Sequence, residues 1–264
     1  MAEPQDQGAT APKKKKARPW WRRLLRGLGV LVLVLIVGLV VTGFVMHEPL
    51  PSATPGPEAD ARARAIHQSV DPDAWAATKA VAWTFRGQNR HLWDRDRGFV
   101  RVQWDDTEVQ LRTGDQSGWA KVGGERVLGE DGDALVAQAY GHFINDSFWL
   151  MPLGGFFDEG VTRGSVALDG QDALMITYAS GGVTPGDSYA WFVDEDGRPT
   201  KWKMWVGILP VGGIDVTWEG WQQLSSGVWV STSHTIEGLL SLDLGDVRGA
   251  TTLAALEPED PFEL

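Results

Sequence analysis

The longest stretch without a charged side chain runs from Gly27 to Met46, twenty positions dominated by Val, Leu and Ile. Wound as a helix rising about 1.5 Å per residue, it covers the roughly 30 Å hydrocarbon core of a bilayer. The pattern therefore predicts one transmembrane anchor over residues 24–46. A cleaved signal peptide carries a shorter apolar region, about 7–15 residues, followed by a small-x-small site. The best such site here, Pro51-Ser52-Ala53, begins with an unsuitable proline. The basic cluster Lys13–Lys16 and Arg22-Arg23 stands just before the run, which keeps residues 1–23 in the cytoplasm as a basic tail. Trp20 and Trp21 fall where an interfacial aromatic belt belongs. Residues 47–57 hold four prolines, which lack N–H groups and have a fixed φ, so they read as a semi-stiff spacer. Residues 58–264 then form an extracytoplasmic domain, on the other side of the plasma membrane.

Within that domain the pattern changes period. Residues 58–68, following Pro57, suit a short helix. From Lys79 onward apolar residues alternate with polar ones: Val81, Trp83 and Phe85, then Val100, Val102 and Trp104, then Val109 and Leu111. Such alternation puts one face in the core and one in water, as in antiparallel sheet. Further strands are predicted at 117–122, 166–168, 173–178, 188–193, 201–206, 214–218, 228–236 and 239–244, separated by turn signals such as Asp105-Asp106, Asp169-Gly170 and Asp196-Gly197. Residues 132–144 break the series. Val136, Tyr140 and Ile144 recur every four positions beside Leu135, Ala139 and Phe143, which predicts a helix with one apolar face, ending near Asn145-Asp146. Residues 148–152 then continue as a buried apolar loop or strand. The expected fold class is mainly β with helices (α+β): a curved antiparallel sheet, half-barrel or barrel, of about ten strands with a helical plug.

Charge sharpens this division. Residues 1–46 carry eight Lys/Arg against Glu3 and Asp6, while the remainder holds the other 16 basic and 33 acidic residues, a net of −17. A domain so acidic repels polyanions, so no nucleic-acid partner is expected. Cysteine is absent, which excludes disulfides, thiolate metal sites, a cysteine nucleophile and a lipidated cysteine anchor. The five histidines show no metal-ligand spacing, and the glycine clusters fit neither a dinucleotide fingerprint nor a phosphate loop. No metal and no cofactor are expected.

Four segments, Trp83-Thr84-Phe85-Arg86-Gly87, His91-Leu92-Trp93-Asp94, Gly98-Phe99-Val100-Arg101-Val102 and Asn145-Asp146-Ser147-Phe148-Trp149-Leu150-Met151-Pro152, resemble extracytoplasmic proteins of the LolA/LolB lipoprotein-carrier type. The resemblance spans about residues 58–250. It implies an N-terminal helix, a long antiparallel half-barrel, a helix plugging its concave side, and a lipid or lipidated protein as partner. The chain differs from the soluble carrier and the lipidated acceptor of that family in having an anchor, and no single functional residue is carried over.

Twelve of the fourteen tryptophans lie beyond residue 46. A wall built from them would hold an acyl chain, and the candidate lining is Trp83, Phe85, Trp93, Val102, Trp104, Trp119, Tyr140, Phe148, Trp149, Met151, Tyr178, Trp191, Trp202 and Trp218. The same rings would equally fill an ordinary core, and neighbours such as Trp202 and Trp205 cannot share a face. A second candidate is a polar cluster of His91, Asp94, Arg101, Asn145 and Asp146, in which His91 and Asp94 form an acid/base pair if they meet. The alternative for residues 94–97 is a solvated turn with local ion pairs. The sequence thus favours a membrane-tethered binding or carrier domain for an apolar ligand over an envelope scaffold, and both over a hydrolase using His91 and Asp94.

Overall fold

The computed structural model describes residues 45–179 and 185–263, with helical positions at 28–29, 31–35, 38 and 43. The chain divides into two compact units, Met1–Met46 and His47–Leu264. The basic tail and much of the expected anchor lie outside the described residues. Those described in the first unit, including Leu28, Leu31, Leu33 and Leu35, expose apolar side chains. Among the described residues no helix is long and apolar enough to cross a membrane.

In the second unit α1 (Pro57–Gln68) starts on a proline and buries Ala59, Ala63 and Ile66 at helical spacing. A short α2 (Pro72–Ala77) follows, its first turn capped by the Asp71 carboxylate accepting from the Ala74 N–H at 2.9 Å. A meander comes next: β1 (Ala80–Phe85), β2 (Asn89–Asp94), β3 (Phe99–Trp104), β4 (Thr107–Arg112), β5 (Gly118–Val122) and β6 (Glu125–Val127). The long α3 (Gly129–Leu150) leads to β7 (Val161–Leu168), β8 (Gln171–Tyr178), β9 (Ser188–Val193), β10 (Pro199–Trp205) and β11 (Ile214–Thr217). A small ribbon of β12 (Gln222–Gln223) and β13 (Trp229–Val230) precedes β14 (Ser233–Ile236) and β15 (Leu240–Ala250).

Thirteen strands form one antiparallel sheet in the order β6-β5-β4-β3-β2-β1-β15-β14-β11-β10-β9-β8-β7. The last strand slots beside the first, so β6 and β7 remain edges and the sheet is a curved, open half-barrel rather than a closed barrel. Its curvature follows from α3. His142 meets Trp104 of β3 at 5.2 Å and Phe148 meets Tyr178 of β8 at 5.6 Å. Those two helical positions are separated by roughly 9 Å of rise, whereas eight strand spacings would set β3 and β8 about 38 Å apart in a flat sheet. The sheet therefore curls around the helix.

Three expectations need correcting. The helix does not end at Asn145-Asp146 but continues to Leu150, because Asp146 finds partners on the sheet and Phe148 and Trp149 pack into the core. The segment 228–236 splits into β13 and β14. The proline-rich 47–57 segment is not a free spacer: it is bound along the domain. The Glu48 carboxylate accepts from Lys203 Nζ at 2.8 and 3.0 Å, Trp205 Nε1 donates to Glu48 O, and Ala53 joins a small cluster with Val166, Met175 and Phe192 on the outer face. Thr54 then pairs with Ser165 on the free edge of β7, which protects that edge, before α1 turns onto the inner face. Gly164 permits this crossing, since a Cβ there would lie 2.7 Å from that of Ala53.

Candidate functional site

Strict alternation sends Trp83, His91, Trp93, Val102, Val109, Trp191, Trp202 and Val216 to the inner face, where they join a single core cluster with both long helices. Six aromatic side chains concentrate near β8–β11. Trp191, Trp202 and Trp218 contact one another at 4.8, 5.1 and 4.9 Å, and Tyr189, Phe148 and Trp149 close on Trp202 at 4.7, 5.7 and 5.2 Å. Of the fourteen candidate lining residues, thirteen belong to this inner cluster. Trp119 is the exception. Ala120 takes the inner position of β5, so Trp119 points outward between Lys121 and Arg126, at 4.4 and 4.0 Å from its ring. Trp205 likewise faces out, as the spacing from Trp202 requires.

The polar atoms of this wall are unusual. Nε1 of Trp83, Trp93, Trp191, Trp202 and Trp218, the Tyr178 hydroxyl and Nδ1 of His91 are buried with no hydrogen-bond partner among the described residues. Buried polar groups left unpaired are rare, and each calls for an explanation, such as water or a ligand beside it. Burial, with the nearby Asp158 carboxylate, pushes the Tyr178 phenol well above its ordinary range, so it remains an O–H donor.

Helix α3 covers the wall on one narrow stripe: Gly132, Val136, Ala139, Phe143, Asp146 and Leu150 are its buried positions, at alternating four- and three-residue steps. Asp146 anchors it. The carboxylate accepts from His91 Nε2 at 2.7 Å, from Asn89 Nδ2 at 2.9 Å and from Asn145 Nδ2 at 2.9 Å, and the His91 ring stacks on Trp83 at 4.5 Å and 14°. Burial pushes the His91 pKa below its ordinary value against the opposing pull of Asp146, so the neutral ring donates through Nε2 and leaves Nδ1 as an acceptor.

Of the expected polar cluster, the structure brings together His91, Asn145 and Asp146 and excludes the other two. Asp94 is an odd number of residues from His91 on β2 and so lies on the opposite face. There it accepts from the backbone N–H groups of Asp96 and Arg97 and pairs with the Arg97 side chain. His91 and Asp94 make no acid/base pair. Arg101 is also outward, beside Glu257 at 3.9 Å. Asn89 completes the clamp and was missed by sequence reading; its place two residues before His91, on the same face of a strand, was the available signal. Arg95, expected in a solvated turn, instead stacks over Trp75 at 3.8 Å, and burial lowers its pKa to about 10. Buried His234, which meets Trp218 at 4.4 Å, was not anticipated at all.

The architecture has the parts that the resemblance implied: a leading helix, an open curved sheet, and a helix on its inner side. No family model matches the chain, and no curated protein does. Similar solved structures include a DUF1329 family protein from Desulfovibrio piger, at 13% identity and TM-score 0.39, covering 75% of this chain and 97% of that one. A domain described as an outer membrane lipoprotein-sorting protein, from Vibrio parahaemolyticus, follows at 13% identity and TM-score 0.36, covering 72% and 94%. A LolA superfamily protein from Nitrosomonas europaea is similar at 11% identity and TM-score 0.31, covering 72% and 92%. At TM-scores below 0.5 these likenesses bear no functional weight for this chain.

Proposed function

We propose that the chain is a membrane-tethered extracytoplasmic binding domain that holds an apolar ligand, a lipid or the acyl group of a lipoprotein, between its aromatic inner wall and α3. One observation carries the reading: a continuous aromatic face whose indole N–H groups lack partners lies under a helix held by a single stripe and one polar clamp. Rings in mutual contact make this the closed form, so the ligand enters as α3 lifts from the wall. The apolar wall would take the chain, and the indole N–H groups would meet ester or carboxylate oxygens. The uncharged run 27–46 behind a basic cluster supports the tether.

Native mass spectrometry of the full chain released from detergent tests this. Lipid-sized adducts on the folded chain are expected, and a repeatedly bare chain would remove the idea. Digestion of residues 58–264 by protease added outside permeabilised cells tests the compartment separately.

Close packing of the rings favours a second reading, an envelope scaffold. An open outer groove of about 580 Å³, lined by Arg90, Arg101 and Arg248 among others, would serve such a partner. Crosslinking in cells that captures one stable protein in place of lipid would select it.

A further inference from the structure

Exposed large apolar side chains are scattered thinly over the domain, but four of them share one rim. Ile208 (73% exposed) and Leu209 lie on the β10–β11 loop, and Leu239 (90% exposed) and Leu240 on the β14–β15 turn. These connections are neighbours, because β11 pairs with β14 through Val216 and Ile236, and Glu237 N donates to Asp215 O at 2.9 Å. A single exposed leucine is ordinary surface, whereas a rim of four at adjacent turns marks a contact surface.

The occupant follows from where the chain enters the domain. The uncharged run ends at Met46, and the next two residues are tied to this same loop: Gly212 N donates to His47 Nδ1 at 3.0 Å, and Glu48 N donates to Gly212 O at 2.9 Å. Glu48 O is further held by the Trp205 indole. Gly212 lies four residues after Ile208, at most about 14 Å of extended chain. The β10–β11 loop thus carries two of the exposed apolar residues and also holds the first two residues after the uncharged run. We infer that the rim of Ile208, Leu209, Leu239 and Leu240 inserts into the outer leaflet; this rests on the tethered reading above. With the rest of the domain at net −17, anionic head groups give no attraction, so the contact is apolar and insensitive to salt.

The placement bears on loading. Tyr178, Tyr189 and Met204 stand at this end of β8, β9 and β10, with Phe148 of α3 on Tyr178 and Tyr189 at 5.6 and 5.1 Å. A rim seated in lipid opens the aromatic wall toward the membrane itself, so a lipid passes from the leaflet into the domain without crossing water.

The chain has no cysteine, so single labels can be placed without background. The full chain carrying an environment-sensitive fluorophore at Ile208→Cys, Leu239→Cys, Leu33→Cys or Asp196→Cys is reconstituted in phosphatidylcholine nanodiscs containing lipid with a nitroxide on the acyl chain. Asp196 lies in the β9–β10 turn, at the opposite end of the strands. Quenching several-fold stronger at positions 208 and 239 than at 196, unchanged by high salt, is the expected result. A quenched Leu33 label with labels at 208 and 239 no more quenched than that at 196 overturns the inference and leaves the anchor standing. An unquenched Leu33 label overturns the anchor, and the rim contact with it.

Discussion

The two faces of one sheet differ in how many buried polar groups they leave unpaired. On the outer face Lys203, only 4% exposed, has Glu48 at 2.8 Å and Asp169 at 3.4 Å. Burial depresses its pKa, but these carboxylates and Asp215 more than offset the effect and leave the ammonium firmly charged. Gln110 is similarly answered: its amide donates to Pro261 O and accepts from Glu263 N, each at 2.8 Å, fastening the C-terminal segment across β4. On the inner face five indole N–H groups have no such answer among the described residues, against one, that of Trp119, on the outer face. A buried polar group left unpaired costs about 1–3 kcal/mol, so the inner face bears several such costs. The outer face is closed by two straps from its own chain, and the inner face is covered by a helix resting on one stripe.

The largest expected effect is at Trp202, which is fully buried and touches Tyr189, Trp191, Trp218, Phe148 and Trp149. Trp202→Ala should lower unfolding stability by about 3–5 kcal/mol in urea titration; a loss under about 1 kcal/mol would mean that the wall is not a packed unit.

Acid comes next. Burial holds His234 down to about 4, below the ordinary histidine value. Between roughly pH 6.5 and 4 the unfolded chain thus binds a proton that the folded chain refuses. Stability is retained above that window and falls as pH drops through it, by up to about 3 kcal/mol from this residue. The depressed pKa of His91 acts in the same direction. Urea midpoints of the wild type and His234→Gln should converge toward pH 4, and parallel pH curves would contradict this.

Removing the clamp should do somewhat less. Asp146→Ala leaves His91 Nε2 and Asn89 Nδ2 without their acceptor, and a loss of about 2–3 kcal/mol is expected. Amide hydrogen exchange in α3 should quicken more than in β1–β3, whereas a uniform increase would show that the helix is not separately latched. The smallest effect belongs to Trp119, on the outer face with Lys121 and Arg126 over its ring. Trp119→Ala should cost under about 1 kcal/mol, and a loss matching that of Trp202→Ala would erase the distinction between the faces.

Much of this was legible in the residues because period two is local. Once Val81, Trp83 and Phe85 fell on one side, the inward direction of the strand residues among the candidates, Trp93, Val102, Trp191 and Trp202 for example, followed from alternation, whereas Phe148, Trp149 and Met151 lay beyond the predicted helix. Trp119 was misassigned by counting its ring and not its neighbour: Ala120, small and apolar, holds the inner place because the edge of the sheet meets α3 there. The clamp was half legible. His91 and Asp146 were both singled out, but 55 residues of chain separate them, and only the curl of β2 beneath α3 decides that His91 meets Asp146 rather than Asp94, three residues away on the other face.

By itself the sequence determined an uncharged run behind a basic cluster, an alternating antiparallel domain, and one interrupting helix. Each is set by side-chain hydrophobicity over a few residues, within reach of a single helix or strand. Tertiary structure alone decided that the sheet stays open, that the proline-rich segment lies along the outer face instead of spanning free, and that two distant turns present their leucines together. These depend on which strands become neighbours, and β15 settling beside β1 is a choice made by the packing of the whole sheet, with no local pattern to announce it.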